Sequence, residues 1–188
     1  MIQTAKYSLS GWLSSSFALL LLVSAAAIGQ SADSGSHARL TSKYSRPMLE
    51  AHQANSLDKI GDFYHYLNLL SAAGDQALQN QIKENIYALF ESKNTVIDDF
   101  STDVEDQIPL SYFLDNIASR QMVFSIVNQS AGQEFYRDYW IDSYDLEVVV
   151  SGIKKTRRLR QTIYLKPENK AFGTRQKTVL AVSLGPIR

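Results

Sequence analysis

The spacing of apolar residues predicts helices in the first half of the chain. Between Pro47 and Leu70 they recur at helical spacing, residues 55–58 (NSLD) resemble a capping box, and Gly74 is expected to end this helix. Asp75 is expected to cap a second helix. The apolar stripe of that helix is Leu78, Ile82, Ile86, Leu89 and Phe90.

The second half of the chain follows the period of strands. The β-branched segment 95–100 predicts a first strand, and Ile108-Pro109 is expected to open a third, shorter helix at 110–119. Four more strands are predicted, at 121–128, Tyr139–Val150, 158–166 and 178–184. Alternation places two polar residues, Asp142 and Gln161, on otherwise apolar strand faces.

The predicted order is helix, helix, strand, helix and then four strands. Helices segregated from an antiparallel sheet indicate an α+β fold, with three helices packed on a curved, mainly antiparallel sheet. No internal repeat is visible, so residues 47–188 are interpreted as a single domain.

This order resembles the nuclear-transport-factor-2-like superfamily, a cystatin-like cone in which a curved sheet wraps a long helix. A narrower resemblance is to exported proteins of the Bacteroidota with this fold. Its short motifs are LNLL at 67–70, ALF at 88–90, VIDD at 96–99, YFLDNI at 112–117 and VFS at 123–125. The resemblance implies the fold and an exported location, and it transfers no catalytic residue.

The N-terminal residues are typical of an export signal. Residues 1–29 combine Lys6, the apolar run 17–23 and small residues, which predicts a signal peptide, and residues 30–46 are interpreted as a flexible linker. The run is shorter than the roughly 18 residues of a membrane span, so no transmembrane span is expected in the mature chain. The chain has no cysteine, which excludes disulfides and thiolate sites. A periplasmic or extracellular location in a bacterial envelope follows.

Charge is divided between the two halves of the domain. Residues 47–110 carry 11 acidic and 3 basic residues, whereas residues 111–188 carry 7 acidic and 12 basic residues. Such asymmetry can give two surfaces of opposite sign, and it does not by itself identify a partner.

Five carboxylates lie within residues 98–106. Asp99, Asp103 and Glu105 are candidates for metal ligands in an irregular loop, although the spacing and the glycine of a calcium-binding loop are missing. Asp98 and Asp99 are neighbours and would point to opposite faces of a regular strand. The simpler interpretation is a solvated link that places negative charge before the third helix.

Two further groups of residues are candidates for an interior site. His65 with an inward-facing Asp98 or Asp99 would suit acid–base chemistry on an apolar or carbonyl-containing ligand. A ligand pocket would use aromatic side chains, and the candidates are Tyr64, Tyr66, Trp140 and Tyr144. Aromatic residues of the core and a structural histidine are the simpler interpretations.

A basic cluster is the candidate for partner binding. It consists of Lys154, Lys155, Arg157, Arg158 and Arg160 and is expected at the tip of a hairpin. An acidic partner would suit it, whereas nucleic acid would require interleaved aromatic residues, and none lies between Gly152 and Gln161.

These observations favour an exported, non-catalytic binding or interaction module. A homodimer through the sheet face, with Trp140 and Tyr144, is one option, and a small apolar ligand or an acidic partner is another. The alternative is a small enzyme of the cone fold that uses His65. No cofactor and no nucleic acid are predicted.

Overall fold

The computed structural model describes residues 39–102 and 106–188, within which the chain forms four helices and six strands. The helices are α1 (Leu40–Lys43), α2 (Arg46–Ala72), α3 (Gln76–Leu89) and α4 (Leu110–Ala118). The strands are β1 (Val96–Asp98), β2 (Gln107–Pro109), β3 (Met122–Ser130), β4 (Tyr139–Val150), β5 (Ile153–Phe172) and β6 (Arg175–Ile187).

The strands form one open sheet in the order β2-β1-β6-β5-β4-β3. β1 runs parallel to β6, and every other pair of neighbours is antiparallel. The predicted α+β class and the mainly antiparallel sheet are therefore confirmed, although one parallel pair makes the sheet mixed.

The first predicted helix is a single continuous helix, and no new helix begins at residues 55–58. α2 runs without interruption from Arg46 to Ala72, so the capping box expected at residues 55–58 is wrong. The prediction for α3 is confirmed, because the carboxylate of Asp75 accepts a hydrogen bond of 2.9 Å from the backbone N–H of Leu78.

Two short elements are additional to the prediction. α1 lies within the segment interpreted as a linker, but Leu40 is only 1 % exposed and its N–H donates to the carbonyl of Tyr136 at 2.7 Å. Residues 40–43 therefore pack on the domain, whereas composition alone suggests a mobile chain. β2 pairs with β1 through Ile97 and Ile108. The segment predicted as a signal peptide, residues 1–29, and residues 30–38 of the predicted linker lie outside the described residues.

The last two strands are also longer than predicted. β5 and β6 pair continuously from Leu165 and Val182 out to a two-residue turn at Gly173, which has a φ of +63°. Residues 167–178, which we call the arm, are exposed at every position. Nothing in the apolar pattern marks the arm, because none of its residues has a core to face.

The core lies between one face of the sheet and the helices. The predicted alternation along β4 and β5 is confirmed, since the residues assigned to one face are the buried ones. α2 lies against β3, β6, α3 and α4. The largest fully buried side chains include Trp140, Tyr144, Phe63 and Phe113.

One edge of the sheet is covered by side chains of α2. Asn68 Nδ2 donates to the carbonyl of Phe124 at 2.9 Å, and the Phe124 N–H donates to Asn68 Oδ1 at 2.7 Å. Ser71 Oγ accepts from the N–H of Met122 and donates to the carbonyl of Arg120, both at 2.7 Å. These side chains satisfy backbone groups of edge strand β3 that a further strand would otherwise pair.

Candidate functional site

A chain of buried hydrogen bonds crosses the interior between α2 and the sheet. The hydroxyls of Tyr64 and Tyr144 are 2.9 Å apart, and the Tyr144 hydroxyl donates to Gln161 Oε1 at 3.1 Å. Gln161 Nε2 then donates to the carbonyl of Gly185 at 2.7 Å. Burial is the main reason that the pKa of both tyrosines lies well above its ordinary value. This part of the interior is therefore neutral and internally satisfied.

A carboxylate is buried at the other end of the same sheet face. Asp142 is 0 % exposed, and it accepts hydrogen bonds from Ser56 Oγ at 2.7 Å and from the Gly132 N–H at 2.8 Å. Burial raises the pKa of Asp142, and these two hydrogen bonds oppose that change. The indole N–H of Trp140 also lowers this pKa, but its geometry is not that of a hydrogen bond to any described residue.

Gly132 is required by the close approach of two backbone segments at this carboxylate. A Cβ atom at residue 132 would lie 2.1 Å from the carbonyl oxygen of Ile141. The alternation along β4 predicts that Asp142 lies on the apolar face, but it predicts no partner for the carboxylate. The donor Ser56 lies in the segment predicted as a capping box, and no sequence signal connects it with Asp142.

Three of the four aromatic residues predicted to line a ligand pocket belong to the core. Tyr64 is 2 % exposed, and Trp140 and Tyr144 are 0 % exposed. Tyr66 is half-buried in a separate depression of about 370 Å³ between α2 and α3. The structure therefore brings Tyr64 and Tyr144 together, with ring centroids 5.6 Å apart, but does not bring the four residues into one cavity.

The candidate acid–base residues lie in different environments. His65 is exposed on α2, where its described contact is with the ring of Tyr66. Asp99 is 8 % exposed and accepts hydrogen bonds from the N–H and the hydroxyl of Ser101. Asp98 is half-buried at the end of β1. Within the described part of the chain, no hydrogen bond joins His65 to either carboxylate.

Of the three candidate metal ligands, only Asp99 lies among the described residues. Asp103 and Glu105 lie outside the described residues, and the carboxylate of Asp99 is bonded to Ser101. Among residues 39–102 and 106–188, no group of three or more His, Cys, Asp or Glu side chains is arranged to hold a metal ion.

The basic cluster begins beside the turn of the β4–β5 hairpin at Ser151 and Gly152 and continues along β5. Lys154 Nζ is 2.9 Å from a carboxylate oxygen of Glu147, and Arg158 is 3.0 Å from a carboxylate oxygen of Asp145. Both acidic residues come from the neighbouring strand β4. These two cations are therefore paired across the strands, although both side chains remain largely exposed.

The other members of the cluster lie on both faces of β5. Arg157 donates a hydrogen bond to the carbonyl of Thr102 and is half-buried. Lys155 and Arg160 are exposed, and the alternation of the strand directs them to opposite faces of β5. The cluster is therefore divided between the two faces of β5, with Lys154, Arg158 and Arg160 on one face and Lys155 and Arg157 on the other.

A groove between α2 and the base of the arm holds a different set of cations. The groove has a volume of about 730 Å³ and is floored by small and apolar residues of α3 and β6. His52, Asn55 and Lys59 line it from α2, at spacings of three and four residues that place them on one helical face. Lys166 and Lys170 line it from β5.

Lys59 is the unusual residue of this groove. It is half-buried and forms no ion pair or hydrogen bond within the described part of the chain. Burial, followed by the positive charge of Lys170, lowers the pKa of the Lys59 ammonium, while Glu168 and Asp62 raise it. Lys166 and Lys170, in contrast, are paired with Glu91 and Glu168 respectively.

His52 adds a second polar group that burial affects. It is half-buried two helical turns from Lys59, and burial lowers its pKa. The imidazole is thus favoured in its neutral form, which can both donate and accept a hydrogen bond.

A wider depression of about 900 Å³ lies near the opposite end of α2, but the charged residue that lines it is Arg120 alone.

Comparison of the chain with protein-family models, curated proteins and solved structures gives no significant match. The resemblance to nuclear-transport-factor-2-like proteins thus stays a prediction. None of the described helices combines the length and the apolar character needed to cross a membrane.

Proposed function

We propose that the protein is an exported, non-catalytic binding module with the cone fold of the nuclear-transport-factor-2-like superfamily. Its ligand is an acidic partner that carries carboxylate groups. The binding site is the groove between α2 and the base of the arm. The filled interior supports a surface site, because Tyr64, Tyr144 and Gln161 occupy the space between α2 and the sheet.

The half-buried ammonium of Lys59, which forms no direct ion pair within the described residues, is the observation that carries this proposal. Burial and the positive charge of Lys170 both disfavour its protonated form, and Glu168 and Asp62 oppose these effects without forming an ion pair. A carboxylate in the groove would relieve both effects. The ligand would then raise the pKa of Lys59, since an opposite charge favours the protonated form.

The other groups of the groove suit the same ligand. Its three lysines, Lys59, Lys166 and Lys170, face two glutamates, Glu91 and Glu168, so the groove is positive overall. Asn55 and neutral His52 supply uncharged donors beside Lys59. Apolar residues such as Leu180 and Val182 would contact the carbon chain of the ligand.

The experiment measures binding of a fluorescent octaglutamate peptide by anisotropy, with octaglutamine as the neutral comparison. We expect the protein to bind octaglutamate at low salt and to lose most of that binding at about 0.5 M salt. Lys59→Gln should weaken binding about tenfold, since it removes a charge-assisted hydrogen bond. Lys59→Arg should retain most of it.

Two control variants locate the site. Lys43→Gln removes one exposed charge on α1 and should leave affinity unchanged. The double change Lys154→Gln and Arg158→Gln tests the cluster on β5 and should have little effect, because both cations are already paired. The proposal fails if Lys59→Gln binds as tightly as the unchanged protein, or if the β5 variant abolishes binding.

A further inference from the structure

The far end of the arm carries an arrangement of residues that the groove does not use. Phe172 is 53 % exposed and adjoins the turn at Gly173. Arg175 pairs with Phe172 across the ribbon, and Lys177 pairs with Lys170. Phe172, Arg175 and Lys177 do not line the groove.

One face of the arm is both aromatic and cationic. Directly opposed residues of an antiparallel pair share a face, so Phe172, Arg175, Lys170 and Lys177 lie on the same side of the ribbon. On the opposite face of the arm, the pair next to Phe172 and Arg175 is Ala171 with Gln176, and neither of these residues is charged.

The positive charges of this face are poorly compensated. Lys170 and Lys177 are directly opposed, an arrangement that is unfavourable for like charges. Glu168 lies 3.6 Å from Lys170, but Arg175 and Lys177 form no ion pair within residues 39–102 and 106–188. A negatively charged surface would relieve this repulsion.

We propose that this face of the arm docks the protein on an anionic lipid surface. Phe172 enters the boundary between headgroups and acyl chains, and Arg175 and Lys177 contact the headgroups. Strand rise places the lysine pair about 7 Å behind Phe172, which matches the shallow depth at which interfacial side chains are buried. The arm extends beyond the buried part of the sheet, so the tip can reach a flat surface.

The test is cosedimentation with vesicles of phosphatidylcholine, with and without phosphatidylglycerol. We expect binding to the anionic vesicles only. The double variant Arg175→Gln/Lys177→Gln should weaken it about 30-fold, the combined effect of two basic residues at an anionic surface. Phe172→Ser should weaken it about tenfold through the loss of buried apolar area.

Matched variants separate the arm from general effects of charge, exposed aromatic area and the N-terminal residues. Lys43→Gln/Arg137→Gln removes the same net charge elsewhere, and Tyr112→Ser removes an aromatic residue that is 57 % exposed on α4. Both should bind vesicles as the unchanged protein does. All these variants share the same N-terminal sequence, so differences between them report on the arm.

A second measurement reports insertion directly. In the variant Phe172→Trp, tryptophan emission should shift to shorter wavelength with anionic vesicles and be quenched by brominated acyl chains. The proposal is overturned by any of four results: no vesicle binding, equal binding to neutral vesicles, equal losses in the matched controls, or competition by soluble octaglutamate that depends on Arg175 and Lys177.

Discussion

The strand β5 passes through two very different environments. Between Leu159 and Leu165 every second side chain is buried, and the amide oxygen and the amide nitrogen of Gln161 each form a hydrogen bond there. From Pro167 to Phe172 every residue is exposed. The same strand is thus part of a tightly specified core at one end and an unsupported ribbon at the other.

The contrast separates residues whose identity is constrained by core packing from residues whose identity is not. In the core, backbone and side-chain positions are coupled, as at Gly132, where the adjacent Ile141 carbonyl leaves no room for a side chain. In the arm, side chains contact solvent, so composition there can serve binding without cost to packing. Predictions for the two regions should therefore differ in size as well as in kind.

The largest effect is expected at Gly132. The change Gly132→Ala would force apart two backbone segments and weaken the hydrogen bond to Asp142, so we expect a loss of about 3 kcal/mol in the free energy of unfolding. Urea denaturation measures it. Gly61→Ala is the control: nothing lies within 4 Å of a Cβ there, so this helical site should gain about 0.5–1 kcal/mol. Equal stability of the two variants would contradict the close approach.

A smaller effect, with a definite pH dependence, is expected at Asp142. Asp142→Ala should cost about 2 kcal/mol, because the Gly132 N–H loses its acceptor. Asp142→Asn keeps an acceptor and should cost less. Burial raises the pKa of Asp142 above its ordinary 3.8, so its contribution to stability is complete below pH 3.8 and falls as the pH rises through the raised pKa. The Asn variant should lack this fall in urea titrations across the acidic range.

Asp145, on the other face of β4, provides the comparison of opposite sign. Hydrogen bonds from Asn128 and Arg158 lower its pKa, so its contribution is present above the ordinary value and is lost as the pH falls through the lowered pKa. Asp145→Asn should therefore remove stability at neutral pH but not in acid. A common pH dependence for Asp142→Asn and Asp145→Asn would contradict the assignment of one residue to the interior and the other to the surface.

The smallest effect is expected from removal of residues 169–178, the outer part of the arm. Replacement of residues 169–178 by Asn-Gly would join Glu168 to Val179, which are already paired, through a favourable two-residue turn. Because all of the removed residues are exposed, the free energy of unfolding should change by less than about 0.5 kcal/mol. Thermal and urea unfolding measure it, and a large loss would show that the arm supports the core.

The sequence predicted the parts of the fold in which the apolar pattern is strong. The burial of alternate residues along β4 was correct, including the buried position of Asp142. β2 was missed because three residues give too short a pattern, and α1 was missed because a single buried residue, Leu40, holds it in place. The arm was missed because an exposed ribbon has no apolar period.

The candidate site was harder to predict, because it depends on contacts between distant segments. Lys154 and Arg158 are close in sequence, but the register of β4 places Asp145 opposite Arg158 and Glu147 diagonally across from Lys154, so both cations are paired. Lys59 is an isolated lysine in an acidic half of the chain, and only the approach of Lys170 gives it a second cation. The helical spacing of His52, Asn55 and Lys59 was the one signal in the sequence that could have identified their common face.

The contact of Asn68 with β3 connects the local opening of α2 with the tendency of the protein to self-assemble at high concentration. β3 has nine residues and no charged side chain, so its free edge would be a good template for another copy of the chain. The amide of Asn68 occupies that edge only while the C-terminal turns of α2 remain in place. We therefore expect the rate of self-assembly to follow the opening of these turns rather than global unfolding. Hydrogen exchange at the end of α2 would then predict how slowly the protein aggregates during storage.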